Sequence, residues 1–143
     1  MNGKDKMTEN ALLISWVVAL VSTLGSLFFS EVWQFIPCTL CWYQRIVMYP
    51  LVLILAVAVA KNDTRIAIYI WPLSLIGFMI SLYHYLMQKT TLFTNPDQAC
   101  GIVPCTTEYI NWFGFITIPF LALVAFSIIT VIHFYLWFNR EKH

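Results

Sequence analysis

Four cysteines in two short-range pairs offer the most distinctive chemistry in this chain. Cys38 and Cys41 stand in the segment Pro37-Cys38-Thr39-Leu40-Cys41-Trp42-Tyr43-Gln44-Arg45, and Cys100 and Cys105 in Cys100-Gly101-Ile102-Val103-Pro104-Cys105. Cysteines separated by two residues can close a small, strained ring, a bond easily reduced and reformed. Pro37 ends the stretch before the first pair, and an apolar run begins just after it. The pair is therefore expected at a helix N-terminus, whose partial positive charge favours thiolate over thiol. Arg45 follows Cys41 by four positions, which on a helix starting near Cys41 puts the guanidinium one turn below the sulfur on the same face. In the second pair, Gly101 gives backbone freedom and Pro104 presets a turn, so those sulfurs could meet too. Two neighbouring pairs suggest a relay, because thiol–disulfide exchange moves two electrons at a time through a mixed disulfide. The last pair must then empty into something other than sulfur, and a lipid-soluble quinone is the obvious two-electron sink at a bilayer rim.

The residues alone leave other readings open. Either pair could be a fixed structural disulfide, Cys100–Cys105 stapling its loop. The four cysteines could instead hold one zinc ion in a non-enzymatic tetraspan protein, since spacings of two and four residues suit that metal. Arg45 could simply snorkel to lipid phosphates, although the cysteines one turn away supply a reason for a buried cation.

The elements that must position these residues are membrane spans. Of 143 residues, 60% are hydrophobic and 10% charged, against about 25% charged in ordinary soluble domains. A water-soluble chain this short could not hide so much apolar surface. The net charge of +1 speaks against a strongly basic nucleic-acid binder, so no nucleic-acid partner is expected. A bilayer core of about 30 Å needs roughly 20 mostly apolar residues in a helix. Four stretches qualify, at about 11–32, 42–60, 66–87 and 112–138. They make the chain, residues 1–143, a single all-α membrane domain with connecting loops at 33–41 and 88–111. Pro50, Pro72, Gly77 and Pro119 fall inside these runs and are expected as kinks, since neighbouring helices can satisfy the freed carbonyls. The first run is expected to be retained, because it is long and shows no small-x-small cleavage site at Ser30–Gln34.

Four spans put both termini on one side. Lys4, Lys6, Lys61, Arg65, Arg140 and Lys142, six of the eight Lys and Arg residues, share that side, leaving Arg45 and Lys89 on the other. The positive-inside rule places the termini and the tight Lys61–Arg65 turn in the cytoplasm, and both cysteine pairs outside. That face is where disulfides persist. Trp33, Trp42, Tyr43, Tyr83, Tyr85 and Trp112 gather at the same outer boundary, as interfacial aromatics do.

At these residues the chain resembles the DsbB-type disulfide bond formation proteins, most closely the short BdbC form of Gram-positive bacteria. The resemblance covers nearly the whole chain. It includes the C-x-L-C-x-x-[EQ]-R segment after the first span and a cysteine pair between the third and fourth. His84, in Tyr83-His84-Tyr85-Leu86-Met87-Gln88, matches a histidine near the outer end of the family's third helix. The run from Trp112-Phe113-Gly114-Phe115 to Pro119 is similar to the start of its fourth. The resemblance implies a thiol oxidase of a bacterial cell membrane. Its partner would be a reduced thioredoxin-fold thiol oxidase (DsbA/BdbD-like) that oxidises exported proteins. It also implies that this partner attacks the Cys100–Cys105 disulfide at Cys100, and that electrons pass to the Cys38–Cys41 disulfide. Cys41 would then engage a quinone, menaquinone or ubiquinone, in a site lined by Arg45 and His84. Gln44 stands where some relatives carry an acid and is assigned no catalytic role. The second loop is shorter than in the best-known members.

Two rivals are less compatible with the pattern. A b-type haem between His84 and His133 would need ligands at one depth, whereas these residues fall near opposite ends of their spans. An enzyme of the same chemistry running in reverse, like the vitamin K epoxide reductases, would carry the quinone-side C-x-x-C on the last helix, and here it follows the first. This second rival is the main alternative.

Overall fold

A computed structural model describes residues 3–34, 39–89 and 118–142. Four helices run through them: α1 (Gly3–Glu31), α2 (Thr39–Lys61), α3 (Ala67–Lys89) and α4 (Ile118–Glu141), with a short 3₁₀ turn at Thr64–Ile66 between α2 and α3. Each of the four is long and apolar enough to cross a membrane, in keeping with the expected all-α, four-span class. The helices overrun the apolar stretches: α1 begins at Gly3 and α2 at Thr39. Backbone hydrogen bonding, which sets helix length, continues into the polar rim of a bilayer where hydrophobicity no longer does. Cys38, Cys100, Cys105 and Trp112 lie outside the described residues, as do positions 90–117 generally.

The outward faces stay apolar, with Leu53 70%, Tyr69 73% and Val131 67% exposed. In water such faces would drive aggregation, whereas in hydrocarbon they are solvated. The inward faces follow the alternating three- and four-residue spacing of helix–helix seams. On α3 the buried positions are Ala67, Ile70, Ser74, Gly77, Ser81 and His84; on α4 they include Phe126, Ile129, His133 and Leu136; on α1, Leu12, Ser15 and Ala19. Small and polar residues are prominent in these seams. Lipid tails are as apolar as leucine, so close packing and interhelical hydrogen bonds, rather than the hydrophobic effect, hold such helices together. Ser74 and Thr130 meet across α3 and α4 with their hydroxyl oxygens 3.0 Å apart, while Thr130 also donates to the Phe126 carbonyl at 2.7 Å.

The turn joining α2 to α3 explains how two spans reverse within a few residues. Asn62 takes the left-handed conformation at φ 50°, which asparagine tolerates better than most residues. The Asn62 N–H donates to the Val59 carbonyl and the Asp63 N–H to that of Ala58, a Schellman closure that satisfies the last carbonyls of α2. Asp63 then caps the 3₁₀ turn by accepting from the Arg65 N–H at 2.9 Å. Pro50 and Pro72 sit within continuous helices. Pro119 is instead the second residue of α4, where a missing N–H breaks no intrahelical bond.

Contacts define two ends of the bundle. At one, α1 meets α2 through Ser26 and Arg45, α2 meets α3 through Gln44 and His84, and Tyr85 of α3 packs on Phe120 of α4 with ring centroids 5.6 Å apart. At the other, Leu12, Ala58, Ala67 and Leu136 form a small cluster beside the α2–α3 turn. His133 lies about 20 Å further along α4 than Phe120 at 1.5 Å per residue. A single haem therefore has no pair of histidine ligands in His84 and His133.

Gly77 is where α3 and α4 approach most closely among the glycines described. A Cβ at that position would overlap the ring of Phe126, which is itself fully buried. Gly77→Ala is expected to cost about 1–3 kcal/mol through forced repacking, read as a lower unfolding temperature in detergent. Adding Phe126→Leu should recover part of the loss. An unchanged transition in the single variant would show that the helices do not pack through this glycine.

Candidate functional site

Cys41 occupies the first turn of α2 and is half-buried. Gln44 and Arg45 follow it by three and four residues. At 100° per residue they lie about 60° to one side and about 40° to the other of the Cys41 direction. Side chains on a helix lean toward its N-terminus, so both project back toward the turn that carries the sulfur. The sequence expectation of a guanidinium one turn below Cys41 agrees with this placement of both residues in one helix.

Neighbouring helices hold the two flanks. On one flank, Arg45 Nε donates to Ser26 Oγ at 2.9 Å and Arg45 Nη2 to the Ser26 carbonyl at 3.1 Å. The guanidinium carbon also stands 5.5 Å from the centre of the Trp42 ring, within cation–π range. The cation is therefore fixed by α1 and by an aromatic of its own helix, rather than left to seek a distant phosphate. On the other flank, Gln44 Nε2 lies 3.2 Å from His84 Nδ1. Gln44 is 6% and His84 1% exposed, so this pair is sealed between α2 and α3.

The structure thus brings Cys41, Arg45 and His84 to one end of the bundle. Trp33, Trp42, Tyr43 and Tyr83 are exposed around the same end. Two participants were not among the expected site residues: Ser26 was not singled out from sequence, and Gln44 was assigned no catalytic role. Each was visible as a polar residue within an otherwise apolar run, at a depth matching that of its partner.

This donor set suits a flat acceptor with two carbonyl oxygens. Arg45 supplies a permanent charge and planar N–H groups, and His84 supplies a ring nitrogen on the opposite flank of the sulfur. No group of three or more metal-ligating side chains occurs among the described residues.

Comparison with known proteins decides the family. The model for "Disulfide bond formation protein DsbB" matches residues 8–136. The chain belongs to the DsbB family. It is 57% identical to the "Probable disulfide formation protein C" of Bacillus cereus over 138 residues, 96% of this chain and 99% of that protein. It is 58% identical to the "Disulfide bond formation protein C" of Bacillus subtilis over 120 residues, 84% of this chain and 87% of that one. The counterpart in Halalkalibacterium halodurans is 58% identical over 127 residues, covering 89% and 93% of the two chains. No solved structure matches. With four spanning helices and this family, the chain is a multi-pass bacterial membrane protein and a disulfide-forming oxidoreductase.

Within this DsbB-family protein the anchoring of Arg45 is open to direct test. Ser26→Ala removes the side-chain acceptor and keeps the carbonyl, so Arg45 retains one of two bonds. The Michaelis constant for the electron acceptor is expected to rise about three- to tenfold, less than the loss of a whole charge-assisted hydrogen bond because the guanidinium itself stays in place. Arg45→Lys, which cannot fork onto two acceptors, should do more damage than Ser26→Ala. Equal, wild-type kinetics in both variants would refute the anchoring role.

Proposed function

We propose that the chain is a thiol:quinone oxidoreductase that reoxidises an extracytoplasmic thioredoxin-fold thiol oxidase of the DsbA/BdbD kind, and so sustains disulfide formation in exported proteins. The observation that carries this reading is Cys41 in the first turn of α2, flanked by an Arg45 tied to α1 and a His84 tied to Gln44. A structural disulfide has no use for two anchored polar groups at its rim, whereas a sulfur that hands electrons to a carbonyl acceptor does.

Each transfer balances. The partner's dithiol attacks the Cys100–Cys105 disulfide, with Cys100 forming the mixed disulfide, and the partner leaves oxidised with two electrons and two protons passed on. The Cys100/Cys105 dithiol then reduces Cys38–Cys41 in the same way. A bound quinone supplies a sink for two electrons and two protons. Arg45 would stabilise negative charge on the Cys41 thiolate and on the oxygen of an acceptor bound beside it. Because it is already oriented, it adds no reorganisation cost when the charge moves. His84 supplies a hydrogen-bonding group from the other side.

The distribution of charge supports the matching topology. Lys61 and Arg65 flank the α2–α3 turn, and Arg140 and Lys142 close α4 at the same end as the start of α1. The opposite end carries Arg45, which is engaged with Ser26. By the positive-inside rule the turn and both termini face the cytoplasm, and the cysteines face outward.

Purified protein supplied with a reduced thioredoxin-fold partner and a quinone should reduce the quinone in step with loss of partner thiols. Cys38→Ser or Cys41→Ser is expected to abolish quinone-dependent oxidation, and Cys100→Ser or Cys105→Ser to block oxidation of the partner. Normal turnover in any of the four variants would contradict the relay. Arg45→Ala should weaken quinone use about ten- to a hundredfold, the range of a lost charge-assisted bond, while partner binding is unchanged. Metal analysis should find no stoichiometric zinc; one zinc per chain would favour a structural four-cysteine site instead.

A further inference from the structure

Two buried polar atoms in the inner half of the bundle take no part in the chemistry at Cys41. His133 of α4 is fully buried, and its Nδ1 lies 2.8 Å from the Ile129 carbonyl. A carbonyl oxygen only accepts, so the proton of the neutral ring resides on Nδ1 and the lone pair on Nε2. Turning the ring over would set a carbon against that oxygen and give the bond up. Nε2 is buried and meets no hydrogen-bond partner among the described residues, and the same holds for the indole Nε1 of Trp16 on α1. An indole N–H only donates, whereas this ring nitrogen only accepts.

The two groups lie at one level. Leu12 of α1 and Leu136 of α4 belong to the cluster beside the α2–α3 turn. Trp16 stands four residues beyond Leu12 and His133 three before Leu136. At 1.5 Å per residue they lie about 6 Å and about 4.5 Å from that cluster, both toward the Cys41 end. Trp16 also packs against the apolar cluster that contains Ile129, one turn before His133. Its span begins at Lys6, about 15 Å away along the helix, so this indole does not serve the interfacial belt, where tryptophan reaches headgroups. An unmatched donor and an unmatched acceptor are each costly in hydrocarbon.

We propose that Trp16 and His133 hold one internal water molecule between α1 and α4, which accepts from the indole N–H and donates to the imidazole Nε2. Such a water satisfies both groups, each of which it needs, since an internal water takes two to four polar partners. The bridge ties α1 to α4 in the inner half of the bundle, as the Arg45–Ser26 bonds tie α1 to α2 in the outer half. It is independent of the identity of the electron acceptor.

NMR of the full chain in lipid nanodiscs, labelled in its indole and imidazole nitrogens, tests this directly. Wild-type His133 is expected to be protonated at Nδ1, with the Nε2 resonance displaced from that of a free lone pair by an accepted hydrogen bond. Magnetisation should pass from water to the Trp16 indole proton and to the carbon-bound ring protons of His133. His133→Leu should abolish the water contact at Trp16, and Trp16→Phe the contact at His133. Sequential assignment identifies both wild-type signals, so the wild-type result decides even where a variant fails to fold. A ring protonated at Nε2 overturns the proposal. So does a direct indole–imidazole bond, the absence of water contact at either group, or a contact at one group that survives loss of the other.

Discussion

A polar side chain buried in hydrocarbon must find its partners in the protein, and the first turn of α2 is built around that constraint. Arg45 and Gln44 are adjacent in sequence and diverge by about 100° around the helix. One is satisfied by Ser26 of α1 and the other by His84 of α3. The pairs fasten three helices together at the level of Cys41. Breaking either would leave a buried donor or acceptor without a partner, a cost of about 1–3 kcal/mol and more for a charged group. Stability of the bundle end and preparation of the site are therefore the same set of bonds. On the proposed reading the Cys41 sulfur gains from this, because groups held in place before reaction stabilise new charge more effectively than groups that must first reorient.

The rest of the bundle supplies rigidity below that turn. Ser74 and Gly77 on α3 let α4 come close enough for Phe126 to fill the space a side chain would take. Ser74 and Thr130 add a polar contact across the same seam. At the far end, Trp71 stacks on Trp137 with ring centroids 5.7 Å apart, and the Schellman closure at Asn62 ties α2 to α3. With no hydrophobic drive between helices in lipid, such close-range contacts fix their mutual positions.

The four apolar spans and the all-helical class were legible in the sequence, and so was the gathering of Cys41, Arg45 and His84 at one end of the bundle, because length, apolarity and residue spacing report on them directly. The inward faces were not. In water an apolar stripe marks the buried side of a helix, but here Leu53 and Leu55 are equally apolar and only Leu55 is buried. The informative residues were the exceptions to apolarity: Ser15, Ser26, Gln44, Ser74, Ser81 and His84. Read as depth-matched pairs, they would have joined Arg45 to Ser26 and Gln44 to His84. Pro119 was read as a kink because the apolar run starts upstream of it, whereas its place in the first turn of α4 depends on where backbone hydrogen bonding begins. Gln44 was set aside because it stands where some relatives carry an acid, whereas its buried contact with His84 across α2 and α3 depends on tertiary packing that the sequence does not report.

The central claim is that the sulfur chemistry takes place at the outer rim of the membrane, opposite the α2–α3 turn. Intact cells treated with a reductant and then a membrane-impermeant thiol reagent test it most directly, with an Asn62→Cys variant lacking the native cysteines as the inner reference. Both cysteine pairs should be modified from outside, and the cysteine introduced at position 62 only after the cells are opened. Protection of either native pair until the membrane is breached, with position 62 reacting in intact cells, would contradict the account.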